Sequence, residues 1–536
     1  MNRKTLVLPA LIGLLAPALA ACGGSGSGDG DDPIAAGTTD RFTASKEVPA
    51  PFDPAYAYDA GSWNVLRQTL QTLMALPRGG GGEPEPEAAQ KCGFTDTGNE
   101  RYACTLRKDL KFADGKPLTA ADVKFSIERV RDMKVTNPSG SAQLVSNVET
   151  IEVQGERGVV FHLKTPDATF PYKLATPTAG IVSPDHYRKG KLRDGFDLDG
   201  SGPYTVKQEV KNDQLVKAVF TKNPNYKGSF SPQNKKVELR TFASTTAMGK
   251  ALEDGDIDLM TRTMSPEQIK QLDVNPGKNL DLVDMPGLEI RYLAFNTDAA
   301  SVKDKAVRQA MAQVIDRGAL VGKVYGSTAD PLYSLVPTTI TGHSNSFFNR
   351  YNDPSVKKAK ELLAGAGIDT PVKLTLHYTT DHYGPATKKE FEVLSQQLNG
   401  SGLFDVKIKG DVWNTFRAAA QQGKYDVYGM GWFPDFPDAD NFLAPFLAED
   451  NFLSSPYRNR TINNELIPTS RREADRLSAA KSIERIQDIV AEDVPVLPLW
   501  QGKQYIAARD DITGVEWALN SSSNLQLWEL ARGVGD

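Results

Sequence analysis

The chain has 536 residues, 40% apolar and 24% charged, which is enough for about two to four domains and too much for a single core. Its 62 Lys and Arg against 67 Asp and Glu give a formal charge of −5 and exclude a basic nucleic-acid footprint spread over the chain. Five His and three Cys argue against a multi-ligand zinc or iron–sulfur centre, and no long apolar run follows the N-terminus, so no bundle of membrane helices is available.

The N-terminus is built for export. Arg3 and Lys4 precede an apolar stretch, 6–20, broken by Pro9 and Pro17, which has the form of a signal-peptide core. It ends in Leu19-Ala20-Ala21-Cys22, which resembles the lipobox of bacterial lipoproteins. That resemblance implies removal of residues 1–21 as a signal peptide and a lipid on the Cys22 thiol; the alternative is plain secretion with Cys22 a stray thiol. Residues 23–32 have the Gly/Ser/Asp composition of a solvated tether, so 22–41 is expected to be the lipidated cysteine and a flexible linker. Residues 1–21 carry two cations and no acids, so cleavage takes the charge from −5 to −7. Export permits disulfides, and Cys92 and Cys104 are expected to pair beside the Gly/Pro/Glu-rich stretch 78–91.

From about Phe42 helix-like and strand-like segments alternate without a repeat. Thr119 caps a helix in which Asp122 meets the dipole and Val123, Ile127 and Val130 share a face. A second helix starts near Asp304 and turns Val307, Ala310, Met311 and Val314 inward. A third, opened by Asp353-Pro354, is expected to bury Val356, Ala359 and Leu363 before Gly365. Strict alternation of Val372, Leu374, Leu376 and Tyr378 reads as a strand, with Lys373, Thr375 and His377 on its other face. A fourth helix carries Phe391, Leu394 and Leu398. A fifth is expected from about 474 to 493, burying Leu477, Ala480, Ile483, Ile486 and Val490 and stopping before Pro495. Val159-Val160-Phe161 and Val496-Leu497 are short buried-strand candidates. The mixture predicts an α/β or mixed α+β architecture.

Catalytic signatures are missing from the sequence: it has no nucleophile elbow, zinc-protease helix, Walker loop or dinucleotide fingerprint. His377 and His382 are five residues apart, but His377 lies on the polar side of an alternating strand, where a solvated or structural role is the simpler reading. No metal, no cofactor and no enzymatic activity are expected.

Four segments carry a specific likeness. They are LRKDLKFADGKPLTAADVKFSIERV (106–130); GSGPYTV (200–206) with FTKNPNYKG (220–228); ALEDGDIDLM (251–260) with the stretch 290–320; and YDVYGMGWFPDFPDADNFL (425–443). In order and spacing they resemble the extracytoplasmic solute-binding proteins, family 5, of peptide/nickel-type ABC importers, along about 42–530.

The resemblance implies a two-lobed periplasmic-binding-protein-like fold that closes on a hinge, with lobe I discontinuous (42–62, 178–288 and 495–536), an extra domain at 63–177 and lobe II at 289–494. It also implies a monomeric oligopeptide- or dipeptide-binding lipoprotein, held on the extracytoplasmic face of the cell membrane by its lipid. Such a receptor binds a short peptide, binds no nucleic acid, and delivers its cargo to an ABC permease and its ATPase subunits.

In peptide-binding relatives a Trp-x-x-Asp pattern sets the Asp against the peptide ammonium group. Here that role falls on Asp435, with Trp432, Phe433 and Gly431 lining the site and Trp413, Tyr56 and Tyr58 within possible reach. The chemistry agrees, because an enclosed carboxylate suits an ammonium and aromatic neighbours offer cation–π surface without demanding one side chain. The bland alternative makes these aromatics core residues in a Pro-rich turn.

Two departures stand out. Asp438-Ala439-Asp440 replaces the family's Asp-Pro, and Gln71 stands where an acid is usual. They keep open a receptor for an oligosaccharide, opine or metal chelate. A secreted lipoprotein hydrolase and a signalling or adhesion receptor are further alternatives.

Overall fold

In the computed structural model, residues 33–533 are described, apart from 47, 134–139, 262–263, 276 and 278. The expected signal peptide and Cys22 lie outside these residues.

Two long antiparallel strands, Leu280–Phe295 and Val496–Arg509, organise the molecule. They lie at the centre of an 11-stranded sheet and join its two halves. On one side follow Val427–Trp432, Val372–Thr379 and Phe404–Asp411. On the other follow Leu259–Met260, Ile34–Thr38, Lys236–Thr241, Gln214–Lys222 and Tyr204–Lys211. Parallel and antiparallel pairs are mixed. The register between the central strands shifts after Pro286. There Gly502 O occupies the place of a side chain at Gly287, only 2.4 Å from where a Cβ would sit, so the backbones cross without room for one.

Each half has its own core. The first collects residues from Ile34 to Met285 and from Ile506 to Leu530, together with Phe436; the second runs from Leu288 to Trp500. The segment 63–177 adds a four-stranded antiparallel sheet (Ala89–Phe94, Arg101–Leu106, Gly158–Leu163, Val148–Gln154), whose inner residues merge with the first core. Cys92 and Cys104 are opposite each other on two of these strands and form a disulfide.

Local sequence signals account for most elements. The Asp122 carboxylate accepts hydrogen bonds from Thr119 N and Oγ1, at 2.8 and 2.9 Å, opening the helix Ala120–Asp132, and Val123, Ile127 and Val130 are buried. Asp304 caps Lys305–Val314 through Ala306 N. Val372–Thr379 buries Leu374, Leu376 and Tyr378 as the alternation requires.

Three expectations are corrected. Ile34–Thr38, inside the segment 22–41 expected to be linker, is a fully buried strand, because Lys236–Thr241 and Leu259–Met260 flank it and satisfy its backbone groups. Val356 is 47% exposed, because Ser355 rather than Asp353-Pro354 caps the helix and Val356 is its first residue, while Ala359 and Leu363 are buried as expected. Leu477 is 73% exposed, since the last long helix begins only at Ala480, after a turn held by Asp475. Among the described residues no helix is long and apolar enough to cross a membrane.

Candidate functional site

The two cores meet at the loop that follows the strand Val427–Trp432. This strand pairs with Leu280–Phe295 so that Ile290 faces Trp432 and Arg291 faces Gly431. The chain then leaves the sheet and crosses sides: Trp432 belongs to the second core and Phe436 to the first. The Phe436 ring lies 5.8 Å from that of Tyr172.

Asp435, between them, is 9% exposed. Its backbone N donates to Asn441 Oδ1 at 2.7 Å, while its Oδ2 accepts from Asn441 Nδ2 at 3.0 Å and from Tyr58 Oη at 2.9 Å. Tyr58 comes from the first half of the molecule, so this bond spans the junction. Neither bond uses Oδ1, and both donors are neutral. Burial pushes the carboxyl up to about 6, with the Asn441 and Tyr58 hydrogen bonds and the Lys173 charge pulling only part of the way back.

Beside the loop a charged network ties the halves together. Arg471 pairs with Asp440 at 2.8 Å, and Lys173 pairs with Asp167 at 2.6 Å. Ala168 N donates to Arg471 O, and Asn99 Nδ2 to Arg472 O, each at 2.8 Å. Burial opposes the Asp167 charge, but Lys173 and Arg471 outweigh it and hold the carboxyl at about 2. Asp438, where the family pattern departs, makes a two-pronged pair with Arg476.

The other residues singled out from sequence divide. The Trp432 ring packs in the second core against Phe446 and Phe452, at 5.3 and 5.1 Å, but its Nε1 is buried without a partner. Phe433 is half-buried. Trp413 stacks on His382 with ring centroids 3.8 Å apart and lies 5.8 Å from Tyr383. Tyr56 is buried, and its neighbour Tyr58 is the one that reaches Asp435. Gln71 is buried and donates to both oxygens of Glu87, so an acid from elsewhere in the chain stands beside it. His377 stacks on Tyr425, and among the described residues no group of three His, Cys, Asp or Glu is placed to hold a metal ion.

Gly431 has a steric role. A Cβ there would lie 1.5 Å from Arg291 Nη1 and 3.1 Å from Tyr383 Cε1. Arg291 is held 3.8 Å from the Tyr383 ring and 2.8 Å from Glu289. Gly431→Ala is therefore expected to displace the guanidinium and to destabilise the fold by about 1–3 kcal/mol. A urea titration should show a lower midpoint at unchanged slope; an unchanged midpoint would refute the clash.

Sequence reasoning missed Arg291, Tyr292, Tyr383, Arg417 and Asn441. Arg417, one helical turn after Trp413, was the most accessible of them.

Among the described residues, cavities also lie elsewhere. One of about 40 Å3, lined by Arg67, Glu87, Phe230 and Trp528 among others, is water-sized. An open groove of about 410 Å3, lined by Lys373, His377, Lys407 and Lys424 among others, shares no lining residue with the junction. The junction is the better candidate, because buried polar groups from both halves converge there.

Comparison with known proteins agrees with this architecture. The family model described as bacterial extracellular solute-binding proteins, family 5 Middle, matches residues 83–454. The probable D,D-dipeptide-binding periplasmic protein DdpA of Escherichia coli K12 is 26% identical over 482 residues, covering 87% of this chain and 89% of its own. The structure of the Escherichia coli murein tripeptide binding protein MppA superposes with a TM-score of 0.78 at 22% identity, covering 94% of this chain and 98% of its own. That of the PBP AgaA from A. tumefacien R10, in complex with agropinic acid, does so with a TM-score of 0.77 at 22% identity, covering 93% and 96%.

Proposed function

We propose a function from one premise: the chain belongs to the bacterial extracellular solute-binding proteins, family 5, and has their two-lobed periplasmic-binding-protein fold. It is thus a binding protein and not an enzyme. On our reading it captures short peptides between its two halves and delivers them to an ABC permease, while ATP hydrolysis by partner subunits drives transport. The observation that carries this reading is Asp435. A buried carboxylate at the junction, hydrogen-bonded only by neutral donors through one oxygen, is an unfinished site for an ammonium group. The dipeptide and tripeptide named in the relatives above support the class of cargo.

In this reading the lobes are 42–62, 178–288 and 495–536 against 289–494, with 63–177 as the extra domain. The strand Ile34–Thr38 joins the first lobe, and the crossing of the two central strands near Gly287 is the hinge. The protein works as a monomer, anchored through Cys22 on the extracytoplasmic face of the membrane, where the Gly/Ser tether gives it reach.

Calorimetry with di- to hexapeptides tests the proposal. Peptides with a free amino terminus should bind, and their N-acetylated forms should bind far more weakly. No heat from any peptide well above micromolar concentration, with binding of an opine, oligosaccharide or metal chelate instead, would transfer the site to that class of solute.

A further inference from the structure

The water-sized cavity in the first half of the molecule holds an unanswered cation. Arg67 stands in the last turn of the helix Ala60–Thr69 and lines this cavity. Its Nη1 donates to Ala175 O at 3.3 Å, while its Nε is shielded from water and has no partner. Among the described residues no carboxylate acts on its charge; burial alone moves the guanidinium, down to about 9. A cation shielded without a counter-charge is costly to keep. Arg317 also lacks a carboxylate, but the rings of Tyr333 and Phe347 cover it, at 5.0 and 5.5 Å, and it lines neither cavity.

Trp528 brings a second donor to the same cavity. It is 3% exposed, and its Nε1 has no partner. Phe230, also in the lining, stacks on the indole at 4.3 Å and fixes its plane. The two walls are tied to each other: Gln68 Nε2 donates to Leu525 O, and Leu525 N donates to Asn64 Oδ1, each at 2.8 Å. Both donors are therefore held in place before any occupant arrives.

Glu87 is the acid in the lining, but its oxygens are engaged by Gln71 at 3.2 Å and by Tyr226 at 2.6 Å. Burial pushes it up to about 7, so near neutral pH it carries only part of a charge. Indole and guanidinium N–H groups only donate. The occupant that answers both accepts hydrogen bonds, is negative, and fits where a few waters would. A volume of about 40 Å3 leaves no room for a peptide. A halide ion, little larger than a water molecule, meets all three conditions.

We propose that Arg67 Nε and Trp528 Nε1 form a binding site for a halide-sized anion, which acts as the counter-charge joining the helix Ala60–Thr69 to the C-terminal segment at 520–528. The site is separate from the junction at Asp435 and does not depend on what the junction binds.

The test is thermal unfolding of the whole protein in sodium gluconate, with chloride substituted stepwise at constant ionic strength. The transition should rise with chloride and then saturate, by about 1–3 °C at ten times the half-saturating concentration. In Arg67→Met the rise should disappear. Trp528→Phe keeps the ring but removes the N–H, and should need at least about tenfold more chloride for the same rise. Crystals grown in bromide should show anomalous scattering from one ion within hydrogen-bonding distance of both donors.

No saturable response in the wild type, or a response undiminished in Arg67→Met, overturns the site. An unchanged half-saturating concentration in Trp528→Phe overturns it as well. A bromide seen in the cavity without the response in solution is an adventitious ion only and counts against the proposal, as does water alone in the cavity at high bromide. Should Arg67→Met fail to fold, Trp528→Phe and the bromide position decide.

Discussion

Asp435→Asn is expected to lower the affinity for a short peptide with a free amino terminus by about 2–5 kcal/mol, roughly 30-fold to several thousand-fold, because it leaves a desolvated ammonium opposite a neutral amide. The substitution keeps the shape of the side chain and a hydrogen-bonding oxygen toward Tyr58 and Asn441, so the fold is expected to survive it. Calorimetry on the two proteins measures the difference, and a loss under about threefold would remove Asp435 from the site.

The same group sets a pH dependence whose sign follows from its position. Burial holds the Asp435 carboxyl at about 6, above its value in the unfolded chain. The empty native state therefore holds this proton more firmly than the unfolded one does, and the group costs stability as pH rises from about 4 to 6. An ammonium guest needs the charged form. Affinity should rise with pH up to about 6, by at most about tenfold per unit, and level off above it. Asp435→Asn should flatten that profile. A wild-type profile that is already flat between pH 4.5 and 7 would show that the guest does not meet this acid.

Arg129→Met is expected to be the most damaging single change to the fold. Arg129 and Asp53 are both fully shielded from water. Arg129 Nη1 and Nη2 donate to the two carboxylate oxygens at 2.7 and 2.5 Å, Nε donates to Arg188 O at 3.0 Å, and Nη2 also reaches Lys191 O at 2.7 Å. Asp53 in turn accepts from Ala55 N and Arg193 N, at 2.9 and 2.8 Å. The pair thus fastens the segment around Asp53 to the helix Ala120–Asp132 and to the loop at 188–193. Removing the cation leaves a carboxylate in the core with only backbone donors, at a cost of about 3–5 kcal/mol. Urea unfolding should report that loss; a change below about 1 kcal/mol would mean that water or another cation compensates.

Short-range physics was legible along the chain. Thr119 with Asp122, Asp304 before Lys305, and the alternation at 372–378 each placed an element through interactions within a few residues. Its failures had two origins, one local and one distant. Leu477 matched a helical face but falls in a turn held by Asp475, and Ile34–Thr38 follows a tether-like composition yet becomes a strand through partners some 200 residues away.

The site divides in the same way. The aromatic turn at 431–436 was recognisable as a motif, and its acid could be singled out. That Tyr58 meets this acid, that Trp432 lies in one core and Phe436 in the other, and that Arg417 packs on Phe452 are outcomes of chain crossings.

The sequence by itself determined the main helices and strands, the family likeness and the identity of one candidate acid, because caps, periodicities and motifs act between near neighbours. Only the tertiary structure decided which polar groups lose water together and which lack a partner, because burial and pairing depend on residues hundreds of positions apart brought to one junction.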